Sequence, residues 1–570
     1  MPLSLGTEFA LLAFRKSEAR PMARSFSHRS LALLSMVFLT AVSSAAADGQ
    51  HDHHELTESQ LGAVHFPISC SSTVEKPFER GVALLHSFAF ETAETAFRQV
   101  AKDDPQCAMA HWGIAKTFWR WGMPDAAQLK QGWEEIRIAE SLHPGTARER
   151  DYVAALSAFY FEPDKERENR VGDYSKAMER IYRRYPEDHE AAAFYAFALI
   201  SSEPENDTAY VYRKKAAAVL EPLFALEPNH PGVAHYLIHT YDKPGMAELG
   251  LPAARRYAKI APDAPHALHM PSHIFARLGL WQDDIDSNLA SAAASGRAAL
   301  MHMGDEGHQF HAMEFLVYAY LQCGREADAR RVIEEVKSLP KMNNMYGTDF
   351  DPAISALVAY SAAYALELHH WTEAANLQLL SPPDSGDRSI TYKARAIGTA
   401  RSDNVAEART NLLAIEELHK TLLQRKKTTI ANAVDEDRRV VLAWIDHADG
   451  KNEEAIKLLQ EIAAKEEGIF APDGGIPAHE MLGDMLMEMN SPQRALKEYE
   501  SELRLNPNRF DSLSGAALAA EAAGQPKTAE RYYAQLVKVC EGGNSERPEL
   551  LRARSVLAAS GQMGSQQSEF

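Results

Sequence analysis

The sequence predicts an all-α fold, a superhelix of helix-turn-helix repeats, and three observations carry that reading. Small residues recur with a period of 34, apolar residues follow helical stripes, and strand-like alternation is nearly absent. In "PAHEMLGDMLMEMNSPQRALKEYESELRLNPN", Gly483, Ala495, Tyr499 and Pro507 mark one unit. In the next, Ala529 and Tyr533 stand 34 residues beyond Ala495 and Tyr499. Near the other end, "FERGVALLHSFAFETAETAFRQVAKDDP" places Gly81, Ala93, Phe97 and Pro105 at the same offsets. Small residues let the two helices of a unit approach closely, an aromatic ring fills the space beside them, and proline stops the second helix. No such unit buries its own apolar face, so neighbours must stack.

These offsets are those of a tetratricopeptide (TPR) repeat, an α-solenoid. Less regular pairs fill the rest: "DYVAALSAFYF", "HEAAAFYAFALI", "PAISALVAYSAAYALELHH" and "NVAEARTNLLAIEELHKTLLQRK" each carry an apolar stripe. Loops are expected at 201–207, 342–352 and 381–389. The expected organisation is a signal peptide over 1–47, an extended segment over 48–72, and TPR-like pairs over 73–200. Histidine-rich TPR units follow over 201–345, irregular pairs over 346–430 and TPR units over 431–545. A short helix and disordered tail close the chain over 546–570.

The signal peptide rests on Arg20, Arg24 and Arg29 ahead of "LALLSMVFLTAV", with small residues up to Ala47. That run is too short to span a bilayer, so the mature chain is expected to carry no integral membrane segment. Counting from Met22 gives a leader of ordinary length, so either Met1 or Met22 is the start. Export to a periplasm or beyond is the expectation. A net charge of −19 argues against nucleic acid as a partner. Export permits disulfides, and Cys70 and Cys107 flank the first predicted helix pair, which makes them the expected bridge; four separate buried thiols are the alternative.

The motifs "VHFPISC", "LLHSF", "DPQCAMAHWG", "HYLIHTYD", "HALHMPSHIF" and "PNRFDSLSGAALAAEAAG" together resemble a group of exported bacterial TPR proteins. The likeness covers nearly the whole mature chain. It implies architecture, and no activity is established for the group.

Nine of the 23 histidines lie between 230 and 311: His230, His235, His239, His266, His269, His273, His302, His308 and His311. Pro228 and Pro262 are 34 apart, as are Gly245 and Gly279, and these pairs set the register. His235 and His269 then fall at position 5 of a first helix, and His239 and His273 at position 9. The resemblance to TPR proteins implies that positions 2, 5, 9 and 12 line a concave groove, which adds His266 and Asp242. With Gly324 ending the third such helix, His311 and Glu314 join them. Histidines four apart share a helical face, about 6 Å apart along the axis, and adjacent helices run about 10 Å apart, so side chains can converge. The expected ligands of a divalent metal are therefore His235, His239, His269, His273, His266, His308, His311, Asp242 and Glu314. Zinc is favoured, with iron, manganese or copper as alternatives. Pro271 interrupts the second pair, so the helix there is expected to kink or to begin. The segment "HDHH" at 51–54 reads as a solvated arm, and His86 and His111 as packing residues.

Other function classes remain open at this level. A peptide, protein or small ligand in the groove, without metal, is one alternative. A metal-dependent hydrolase or oxygenase is another, with Glu248, Asp242, Glu314 or Asp305 as base and Tyr236, Tyr241 or Tyr318 near developing charge. No catalytic motif supports that reading: His189–Glu190 and His479–Glu480 lack the second histidine of H-E-x-x-H. No nucleotide cofactor is expected, because phosphate-binding and dinucleotide fingerprints are absent.

Overall fold

The computed structural model describes residues 58–120, 124–162, 165–204, 207–300, 307–339, 351–466 and 475–567. The expected leader, the "HDHH" arm, Met301, His302, Met303 and Asp305, and most of the 342–352 loop lie outside the described residues. The chain divides into Met1–Glu55 and Leu56–Phe570, and every described helix lies in the second unit.

Every regular element among the described residues is a helix, and successive helices pack as antiparallel neighbours of a TPR-type α-solenoid. The repeat logic is visible at single residues. Phe97, in the second helix of its hairpin, lies where a Cβ on Gly81 would come within 2.6 Å of its ring and one on Gly113 within 2.4 Å. Tyr499 is held in the same way between Gly483 and Gly515. One aromatic thus fills the space that glycines open on its own unit and on the next. The bridge Cys70–Cys107 is formed and ties the entering segment to the end of this first hairpin.

The helices that build the site are labelled in chain order. They are α1 (Glu75–His86), α2 (His189–Ser201), α3 (Pro231–Tyr241), α4 (Ala247–Ile260), α5 (Pro265–His269), α6 (Pro271–Arg277), α7 (Trp281–Leu300) and α8 (His308–Gln322). Pro231 sits at the first position of α3, where a missing N–H costs nothing, and the His230 ring accepts the Val233 N–H as cap at 3.2 Å. Gly245 and Gly279 take positive φ, 72° and 63°, in the turns after α3 and α6, as the proline and glycine register requires. Pro271 divides the first helix of the following unit into α5 and α6, with Met270 still in helical conformation between them.

The expected open groove is filled beside His235, His239 and His266. The turn after α1 brings Phe88 against α3 and α5, its ring 4.4 Å from His235, 5.7 Å from His239 and 5.1 Å from His266. Position 5, assigned to a solvent-lined wall, therefore enters the interior, His235 being 0% exposed and His269 1%, while His239 and His273 at position 9 stay half-buried. The reason is tertiary, because the superhelix brings α1 back onto α3 across 149 residues of sequence, as in the His235 to His86 bond. A similar closure joins the C-terminal units to the middle. The buried Arg509 guanidinium donates to Glu480 and Glu367, and the Trp281 indole donates to the Asn508 carbonyl at 3.0 Å.

Two expectations at the ends are corrected. Within the segment expected to be extended, Glu58–Leu61 forms one short helix. The tail expected to lack structure is helical to Gln567.

Candidate metal centre

The structure sorts the predicted histidines into two trios of the same construction. Each takes two residues four apart on the first helix of a unit and one from the start of the next unit's first helix, with Pro271 dividing the second pair between α5 and α6. His235, His239 and His266 form one trio; His269, His273 and His311 form the other. In each, one nitrogen per ring lies within 4.8 Å of the others. The trios are repeat copies: positions 5 and 9 of one first helix join position 2 of the following one. Their nearest members, His266 and His269, share α5 with ring centroids 6.1 Å apart.

In the second trio, hydrogen bonds fix the tautomers. Asn288 on α7 donates its amide N–H to the Asp284 carboxylate at 2.9 Å and to the Asp284 carbonyl at 3.0 Å. Its Oδ1 therefore faces His269 and accepts the Nδ1–H at 2.7 Å. His273 Nδ1–H donates to Asp242 at 2.9 Å, and His311 Nδ1–H to Glu314 at 3.3 Å. With each Nδ1 committed as donor, the Nε2 atoms carry lone pairs into the centre. His269 and His273 face each other there, Nε2 to Nε2, at 3.0 Å. Two lone pairs at that separation repel unless a cation lies between them. In a tetrahedral zinc site, Zn–N bonds of about 2.05 Å put neighbouring nitrogens about 3.3 Å apart.

Asp242 and Glu314, expected among the ligands, stand behind the imidazoles on the Nδ1 side. Asp242 also accepts the Nε–H of Arg277 at 2.8 Å. Burial by itself would raise the Asp242 pKa, but the Arg277 charge and the His273 hydrogen bond outweigh it and hold the carboxyl well below its ordinary value. An ionised carboxylate behind a histidine raises the basicity of the opposite nitrogen, as metal-ligating histidines require. This trio is partly open: His273 is 14% exposed at its side chain and His311 25%.

The first trio is more enclosed, with His235 and His266 buried and His239 half-buried. His235 donates its Nδ1–H to the His86 carbonyl at 2.6 Å, which leaves its Nε2 facing His266 Nε2 at 3.1 Å. The other ring nitrogen of His266 is buried without a hydrogen-bond partner among the described residues. Burial lowers the His235 pKa to about 3 and, with neighbouring histidines, drives His239, His266 and His269 well below the ordinary imidazole value. These rings are neutral at physiological pH, and their lone pairs do not compete with protons. His308 packs 4.7 Å from His266 and belongs to neither trio.

A third cluster has no counterpart in the sequence pattern. His86 and His230 each meet one oxygen of Glu190 on α2, at 2.7 and 2.9 Å. The His86 Nδ1 lies 3.0 Å from the Tyr236 hydroxyl, and His230 Nδ1 accepts the Val233 N–H. Every ring nitrogen and both carboxylate oxygens are used, so this network satisfies itself as a clamp between distant units. His86, expected to pack, does so with its nitrogens occupied. No sequence spacing signals the cluster, since Glu190 lies 104 residues from His86.

The residues considered for catalysis are scattered. Glu248 is exposed on α4, and Tyr236 serves His86. The Tyr241 hydroxyl bonds Glu221, and the Tyr318 hydroxyl accepts from Arg509 at 3.3 Å. No helix among the described residues is long and apolar enough to cross a membrane.

No family model matches the chain, and no curated protein does. Among solved structures, a human IFIT1 dimer with m7Gppp-AAAA is 12% identical with a TM-score of 0.33, covering 80% of this chain and 94% of its own. The human IFIT1 dimer with PPP-AAAA is 12% identical with a TM-score of 0.34 over the same shares. A Naa15/Naa10 structure bound to HypK-THB is 11% identical with a TM-score of 0.21, covering 86% of this chain and 92% of its own. Values this low say nothing of ligand or partner.

Proposed function

We propose that this protein is an exported TPR protein that binds a divalent metal, zinc by preference, through His269, His273 and His311. The observation that carries the reading is the direction of three imidazoles. Each Nδ1–H is held by an oxygen acceptor, and the Nε2 lone pairs of His269 and His273 converge to 3.0 Å. Three imidazole nitrogens with carboxylates only behind them suit zinc better than manganese or magnesium, which prefer oxygen. Three protein ligands leave a fourth position for water or a ligand, and the partial exposure of His273 and His311 gives it access. Binding of a peptide along the histidine stripe without metal is the weaker reading, because Phe88 fills the inner face at His235 and His266. The export expectation and the likeness to exported TPR proteins belong to the same proposal.

The test is competition between the folded, metal-stripped protein and a chromophoric zinc chelator. One tight zinc per chain is expected, lost in His269→Ala/His273→Ala. Wild-type protein that cannot draw zinc from a micromolar chelator overturns the reading.

A further inference from the structure

The two trios share a plan but differ in electrostatics, and the difference selects between ions. Around the second trio, Asp242 and Glu314 accept from two of the three rings. Around the first, His235 is anchored by a backbone carbonyl, and the hydrogen bond of His266 within the trio goes to His235. The carboxylate that His239 feels is Asp242, which His273 and Arg277 already engage. Aromatic rings cover its two buried members: Tyr257 stacks on His235 at 5.2 Å, and Phe88 lies across His235 and His266. The cationic side chain of Arg213 donates to the His239 carbonyl on the outer side of α3.

The self-energy of an ion in a low-dielectric interior grows with the square of its charge. A dication in the first trio therefore bears four times the desolvation of a monocation, and the Asp242 carboxylate that would offset it is shared with His273 and Arg277. Imidazole is a good ligand for copper as well as zinc, and a low-coordinate monovalent ion needs no fourth ligand from solvent. The His266 nitrogen that faces the trio is Nε2, 3.1 Å from the His235 Nε2, and its Nδ1 is buried without a hydrogen-bond partner among the described residues.

We propose that His235, His239 and His266 form a second metal site, one repeat away from the zinc site and selective for monovalent copper. The inference rests on the reading of the second trio as a zinc site, but its test separates the two. Metal-stripped protein is saturated with zinc and then titrated anaerobically with Cu(I) against a chromophoric Cu(I) chelator. One Cu(I) per chain is expected to bind without releasing zinc, and zinc is expected to bind the first trio at least 100-fold more weakly than the second. His266→Gln, on the helix that contributes the trio's third ring, should abolish Cu(I) binding and retain zinc; His273→Gln should do the reverse. Because a change in the interior can unfold the unit, X-ray absorption at the copper edge on the wild-type protein provides a second readout, with nitrogen donors only. Two equally tight zinc ions per chain, or Cu(I) that binds only by displacing zinc, overturns the assignment. Absence of tight zinc with Cu(I) still bound would instead refute the zinc site alone.

Discussion

Replacing Asp242 by asparagine tests the zinc site without touching a ligand. Asp242 uses one oxygen for the His273 Nδ1–H at 2.9 Å and the other for the Arg277 Nε–H at 2.8 Å. Asparagine has one acceptor for these two donors. If its carbonyl turns to Arg277, its NH2 faces His273 and forces the proton onto Nε2, where it blocks the metal. If the carbonyl turns to His273, the NH2 opposes the guanidinium, and the imidazole loses the full negative charge behind it. Either arrangement weakens the ligand, and removing such a partner costs roughly 10- to 100-fold in affinity, about 1.4–2.7 kcal/mol. Arg277, 4% exposed at its side chain, also loses its ion-pair partner, so the variant is expected to be less stable by roughly 3 kcal/mol. The assay is zinc affinity by chelator competition at a temperature where circular dichroism shows the variant folded. An affinity within threefold of wild type in folded protein would refute the idea that Asp242 orients His273 for a metal.

Further outcomes are expected elsewhere in the structure. Cys70→Ser/Cys107→Ser opens a bridge spanning 37 residues and should lower unfolding free energy by about 3–4 kcal/mol in denaturant titration, with zinc affinity unchanged. Phe88→Ala removes a ring that is 5% exposed and should cost roughly 3–4 kcal/mol; hydrogen exchange of α3 and α5 is expected to rise, and an unchanged exchange pattern would count against the closed inner face. Glu502, buried beside Asn506, has its pKa pushed up by burial from 4.5 to about 7. A raised carboxyl pKa favours the folded state while the group is protonated, and that contribution is lost as pH rises from 4.5 through 7. Glu502→Gln should therefore leave the melting temperature little changed at pH 5 and raise it at pH 8, with at most about 3 kcal/mol at stake.

Much of this molecule is legible in its residues because a repeat writes its packing rule several times. Gly81 with Phe97, and Gly483 with Tyr499, state the contact between helices of one unit, and the structure keeps both. The proline and glycine register also places His235, His239, His269 and His273 on one inner stripe. Three things are not legible. His266 and His311 are read at position 2 of their helices, but which pair each completes depends on how α5 and α8 begin, and Pro271 obscures that for α5. The closure of Phe88 over the stripe depends on superhelical curvature, which no local pattern encodes. Asn288, which sets the His269 tautomer, lies on the second helix of its unit in a stretch that reads as ordinary amphipathic helix. The roles of Asp242 and Glu314 shift for a related reason: spacing brings a carboxylate near a metal but does not say which imidazole nitrogen it meets.

The most direct test of the zinc site is a crystal structure of the zinc-loaded protein with anomalous diffraction at the zinc edge. A strong peak is predicted about 2.0–2.1 Å from the Nε2 atoms of His269, His273 and His311, with Asp242, Asn288 and Glu314 still on the Nδ1 side. An anomalous map with no peak at this trio, or with the carboxylates of Asp242 and Glu314 as the ligands instead, would contradict it.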